Sequence, residues 1–241
     1  MAIVRSTASA FPIGTIATGQ VTTGTVTLGP AGDLVLLEVF IGTSTVTVSS
    51  VTNSNSALTW TRIGAYNDTN VSYRREIWSA EVTPAAAGQS CTITITPSAS
   101  VATNAVRLQV DELTAGLGVN TIWTATVFTG QTNASSTTVT YPSLTSTAAA
   151  TCVYYGWSTT ASQAYSGGTS PINSVVVTYT QDTTPEQLAL SATLAYSTAY
   201  QPLGSFATAA VHVTVGCIIT ASVIPTNPPR SNVAVMRASF R

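Results

Sequence analysis

Apolar residues recur at every second position over most of the chain, a period that predicts strands rather than helices. Residues 21–28 alternate and stop at Gly29-Pro30-Ala31-Gly32, a turn-forming group. Residues 33–41 are a nearly continuous apolar run interrupted at Glu38, as expected of a strand covered on both faces. Further strands are predicted at 45–52, 58–66, 71–82, 91–96 and 106–111. In the long 71–82 segment, alternation places Tyr73, Arg75 and Ile77 on one face and Arg74, Glu76, Trp78 and Val82 on the other. After Gly116 and Gly118 the scheme restarts: 137–144 parallels 25–28, and 151–157 parallels the run at 33. Residues 158–173, with Gly167-Gly168 and Pro171, read as loop. Strands are expected at 174–180, 188–196, 209–221 and 233–240, the last reached through a proline-rich connector.

No window offers ten residues of helical periodicity with caps. About a dozen short strands at this spacing predict an all-β antiparallel sandwich, jelly-roll-like, with little or no helix. Residues 1–20 are small, polar and unpatterned and read as an extended N-terminal arm. Residues 21–241 read as a single sandwich domain with pseudo-repeat halves 21–113 and 137–240. Two tandem small sandwiches are the alternative.

Composition adds that solubility rests on hydroxyls rather than ions. Charged residues make up 7% of the chain, against about 25% in an ordinary soluble protein. The chain has 44 Thr and 27 Ser, residue types that suit strands better than helices. A net charge of −1 with eight Arg and no Lys supplies no basic field for nucleic acid and no polybasic membrane patch. No apolar run is long enough for a spanning helix, and the N-terminus lacks the apolar core of a signal peptide. Assembly in a cytoplasm is therefore expected. Cys91, Cys152 and Cys217 lack metal-ligand spacing and are expected to be buried free thiols.

The ionisable inventory offers little chemistry. His212 is the only histidine, and alternation sets it opposite Val211, Val213 and Val215, facing solvent or a neighbour. Neither G-x-S-x-G nor H-E-x-x-H occurs. Glu76 with Asp111 or Glu112 is the carboxyl pair a glycoside hydrolase would need, if neighbouring strands brought them together. Arg74, Arg75 and Arg107 on the same strands favour structural ion pairs instead. The adjacent acids Asp111 and Glu112 lack the loop ligands of a calcium site. No catalytic residue, metal or cofactor is expected. Tyr66, Tyr165 and Tyr200 lie near predicted loops and are the candidates for contact with a partner or glycan.

One ordered series has a family look: Val51-Thr-Asn53-Ser-Asn55-Ser-Ala-Leu58-Thr-Trp60-Thr-Arg62, Glu76-Ile-Trp78-Ser-Ala80, Cys91-Thr-Ile-Thr-Ile95 and Leu108-Gln-Val-Asp-Glu112-Leu113. It resembles a loose group of β-sandwich proteins from phages of GC-rich bacteria and related bacterial surface proteins. In that group a turn ending in W-T-R precedes an E-I-W-x-A strand and a Thr/Val strand. The turn here, Asn55-Ser-Ala-Leu58, lacks the group's glycine. The resemblance implies a non-enzymatic virion surface protein: a capsid decoration, head fibre or minor tail protein. It implies capsid or tail subunits as partners, in a homo-oligomer such as a trimer. A carbohydrate-binding adhesin for host attachment is the alternative, and a glycoside hydrolase the third reading.

Overall fold

Threonine and valine branch at Cβ, which suits a pleated backbone, and the chain folds accordingly. The computed structural model describes residues 3–223, apart from 12–14, 18, 56, 69, 71, 102–104, 147–150, 161–164, 170–173, 182–183 and 192–198. The first half contributes β1 (Val4–Phe11), β2 (Thr15–Ala17), β3 (Gln20–Thr22), β4 (Val26–Thr27), β5 (Leu34–Ile41) and β6 (Val48–Asn53). It continues with β7 (Thr61–Asp68), β8 (Tyr73–Glu81), β9 (Ser90–Cys91), β10 (Ile93–Pro97) and β11 (Val106–Thr114). A single turn of 3-10 helix, Gly118–Asn120, leads into the second half. There follow β12 (Thr121–Thr140), β13 (Leu144–Thr145), β14 (Thr151–Thr160), β15 (Tyr165–Thr169), β16 (Ser174–Gln181), β17 (Thr184–Ser191), β18 (Ala199–Tyr200) and β19 (Leu203–Val223). The protein is all-β and sandwich-like, with antiparallel pairing throughout the described residues. Among them no helix is long and apolar enough to cross a membrane.

The centre is a five-stranded sheet ordered β1-β11-β5-β8-β7. All eight residues of β5 are buried, and this layer explains why. Val35, Leu37, Val39 and Ile41 pack with Val21, Val48, Ile93 and Ile95 of the four-stranded sheet β2-β3-β10-β6. Leu34 and Leu36, on the opposite face, join Ile77 and Leu113 against Val153, Tyr155, Trp157, Val215, Cys217 and Ile219. Those last residues belong to the six-stranded sheet of the second half, whose main path is β12-β19-β14-β17-β16, with β15 beside β19. A third cluster, with Val139, Tyr141, Leu144, Tyr200 and Phe206, covers Cys152, Tyr154 and Ile218 on that sheet's other face. The first half thus supplies two sheets, and one apolar core runs from it into the second half.

The halves also interlock at one edge. Any Cβ added at Gly64 would lie 2.2 Å from the Phe128 ring, and one at Gly130 would lie 2.1 Å from the Tyr66 ring. Each glycine receives the aromatic ring of the other strand, so β7 and β12 approach more closely than side chains would allow. Tyr66 Oη lies 3.2 Å from Thr132 Oγ1 across the same seam.

Two segments depart from the sequence expectation. The N-terminal segment does not hang free as an arm: β1 pairs along β11 from Val4↔Thr114 to Phe11↔Leu108, and β2 pairs with β3. Ile3 is buried in the core, and Arg5 forms an ion pair with Asp111. Main-chain pairing at a sheet edge and a single ion pair leave no hydrophobic period to read. The segment 158–173 is not all loop either, because β14 runs to Thr160 and β15 pairs with β19. The strand expected at 233–240 lies outside the described residues.

Candidate functional site

The carboxylates that catalysis would need are placed apart. Glu76 sits opposite Val39 and faces the outer sheet; Asp111 sits opposite Leu36 and faces the second half. Strand β5 lies between their two strands. Glu112, adjacent to Asp111, points to the opposite face of β11, so the two cannot share one ion. Among the described residues no group of three or more His, Cys, Asp or Glu is placed to hold a metal.

Each of these acids is engaged by its neighbours. Glu76 Oε1 accepts hydrogen bonds from Arg74 Nε at 2.6 Å and Val48 N at 3.0 Å, and its Oε2 accepts from Trp78 Nε1 at 3.1 Å. Glu38 pairs with Arg75, both fully buried. Asp111 accepts from Arg5 Nε at 2.7 Å and Tyr155 Oη at 2.8 Å, and Trp157 Nε1 donates to that Tyr155 oxygen at 2.8 Å. Burial raises the Asp111 carboxyl, opposed by the Arg5 charge, and pushes the Tyr155 phenol well above its ordinary range. This chain of polar contacts ties β1 and β11 to the second half. Of the expected cross-strand pairs, Arg75–Glu38 forms, Arg74 pairs along its own strand, and Arg107 stacks 5.1 Å from the centre of the Phe40 ring. Tyr73, Arg75 and Ile77 do face away from Arg74, Glu76 and Trp78, as the alternation predicts.

Glu112 is held differently. Gly29 N donates to both of its carboxyl oxygens, at 2.9 and 3.1 Å, and a Cβ on Gly29 would lie 2.1 Å from Oε1. Burial, and then the neighbouring Asp33 charge, push Glu112 up to about 7; burial also raises Asp33. The buried pair shares the turn that leads into β5.

His212 corrects its expected exposure. It is 1% exposed, because β19 is covered on both faces, and its ring meets Phe206 edge-on at 5.3 Å. Thr140 N donates to Nε2 at 3.3 Å, and Nδ1 lies 3.2 Å from Ala210 O, which fits the neutral ring protonated on Nδ1. Burial lowers its pKa. The three thiols are buried and unpaired with one another, and burial raises Cys217 to about 12. Such thiols are poor nucleophiles.

Tyr66 and Tyr200 do not come together as one contact surface. Tyr66 is half-buried in the β7–β12 seam, and Tyr200 is 5% exposed inside the third apolar cluster. Their proximity to loops gave no sign of these packing roles. The side chain of Tyr165 lies outside the described residues.

A different feature is open to solvent. Where the central sheet and the second-half sheet part at one end, a groove of about 430 Å³ runs between β7–β8 and β12. Its walls include Thr59, Thr61, Ser79 and Glu81 on one side and Trp123 and Thr124 on the other, over Leu34, Ile63 and Ala125. A second hollow of about 250 Å³ adjoins it, sharing Thr59 and Glu81. Trp123 Nε1 donates to Gly32 O at 2.8 Å, which fixes the indole plane. The groove is assembled from segments far apart in sequence, and only the tryptophan carried a signal for it.

Charge is distributed inside out. Twelve charged residues have a described burial, and nine are buried: Asp33, Glu38, Asp68, Arg74, Arg75, Glu76, Arg107, Asp111 and Glu112. Arg5 is half-buried, leaving Arg62 and Glu81 as the exposed ones among the described residues; Glu81 lines the groove, while the Arg62 guanidinium lies on the other face of the sheet beside Trp78 and Glu76. No family model, curated protein or solved structure matches the chain.

Proposed function

We propose that this protein is a non-enzymatic structural component of a phage virion, most simply a capsid decoration or minor tail protein that assembles as a homo-oligomer with capsid or tail subunits. The observation that carries the reading is the inverted charge distribution. Acids, arginines and the histidine that chemistry would require are engaged in holding sheets together, while the described exterior is almost free of charge. A surface of threonine and serine hydroxyls desolvates at less cost than one of lysines and glutamates, which suits extensive contact with neighbouring subunits. The resemblance of residues 20–118 to phage β-sandwich proteins points the same way.

The reading is tested by immunogold electron microscopy of particles produced by the phage or prophage that carries the gene. Regular labelling of intact heads or tails is the expected result; label confined to host debris would overturn it. Sedimentation of the purified protein tests the oligomer: a trimer or other closed assembly is expected, and a monomer at micromolar concentration would remove that part of the proposal.

A further inference from the structure

We infer that the groove between β7–β8 and β12 is a binding site for an uncharged, hydroxyl-rich ligand of the saccharide class. This goes beyond a structural role, since it gives the protein a ligand of its own and holds whether or not the protein belongs to a particle.

The first ground is the placement of charge. Burying nine of the twelve charged residues whose burial is described leaves Arg62 and Glu81 exposed among them, and Glu81 is the one whose charge stands in the groove. The Arg62 guanidinium lies on the other face of the sheet, 5.9 Å from the centre of the Trp78 ring and 3.7 Å from Glu76 Oε2. Glu81 lies in register with Leu34 on the inner face of β8 and reaches both hollows.

The second ground is chemical. A sugar ring offers an apolar C–H face and a perimeter of hydroxyls. Trp123 supplies a fixed aromatic ring, Glu81 accepts from hydroxyl donors, and Thr59, Thr61 and Ser79 can both donate and accept. The volume of about 430 Å³ falls within the range of small-ligand sites at the junction of packed units. An anionic sugar would meet the Glu81 carboxylate in the groove, while the Arg62 charge lies on the other face of the sheet beside Glu76. Neutral hexoses and N-acetylhexosamines therefore fit better than uronic or sialic acids.

The test uses the full-length protein on an array of neutral hexose and N-acetylhexosamine oligosaccharides, beside sialylated and uronic-acid-bearing ones and a zwitterionic tripeptide. Array hits are then titrated by calorimetry. Neutral glycans are expected to bind, and Glu81→Gln to weaken them tenfold or more with Tm unchanged, since Glu81 is exposed. Trp123→Ala should abolish binding. If that variant fails to fold, Thr61→Val at the exposed wall replaces it and should weaken binding severalfold. Absence of neutral-glycan binding at millimolar concentration, binding unaffected by Glu81→Gln, or preference for the tripeptide or the acidic sugars would each overturn the inference.

Discussion

At the scale of the residue, the buried carboxyls set how stability responds to pH. Glu112 titrates near 7 in the fold and near its ordinary value in the unfolded chain. The native state therefore keeps a proton that the unfolded chain gives up, and the associated stability, complete at low pH, is lost as pH rises to about 7. His212 works in the opposite sense: its lowered pKa favours the fold at neutral pH and costs stability as pH falls. Comparison with a variant separates the two. The Tm of the native protein relative to Glu112→Gln should fall between pH 5 and pH 8, and parallel pH curves would contradict the placement of this side chain. Gln109 offers a second check. It is 1% exposed, and neither of its amide atoms has a hydrogen-bond partner among the described residues. Buried amides without partners cost stability, so Gln109→Met should be neutral or stabilising by about 1 kcal/mol in urea denaturation. A loss of more than that amount would show that the amide is satisfied.

At the scale of the element, β5 is where sequence and structure agree most closely. Its apolar run, interrupted only at Glu38, has one physical meaning in an antiparallel protein, a strand covered on both faces, and three stacked sheets provide that cover. Leu36 and Leu37 point to opposite faces, and both are fully buried. Alanine at either position should cost about 2–5 kcal/mol in chemical denaturation. If one of the two costs less than about 0.5 kcal/mol, as surface substitutions do, the corresponding layer is not there. Other elements were less legible for definable reasons. β1 has no period because edge pairing and the Arg5–Asp111 ion pair hold it. His212 obeys alternation, yet the pattern says only that it opposes its valines; a covered second face turns that position from solvent to core. In the outer sheet the exposed side of the alternation is read correctly, and hydroxyls replace charges there: Thr22 and Thr94 face each other with their oxygens 2.9 Å apart. The Glu76 and Glu112 pairing fails because strand order, which no local pattern encodes, inserts β5 between them.

At the scale of the whole molecule, the fold class was legible and the site was not. Period-two alternation fixes strands and faces, whereas the groove depends on how two sheets from different halves diverge. Of the tyrosines chosen for their nearness to loops, Tyr66 and Tyr200 became packing residues, and Glu81, the exposed acid at the groove, was undistinguished in sequence. Among the described residues the molecule presents outward a surface of hydroxyls with few charges and a polar groove, and most of its ionic groups lie between layers. That arrangement is the basis for the proposal that it belongs to a virion. The most direct test is quantitative mass spectrometry of particles purified through a density gradient and washed in high salt. The protein should remain with the particles at a fixed copy number that is a multiple set by head or tail symmetry. Its absence from washed particles, or a ratio that varies between preparations, would contradict the assignment.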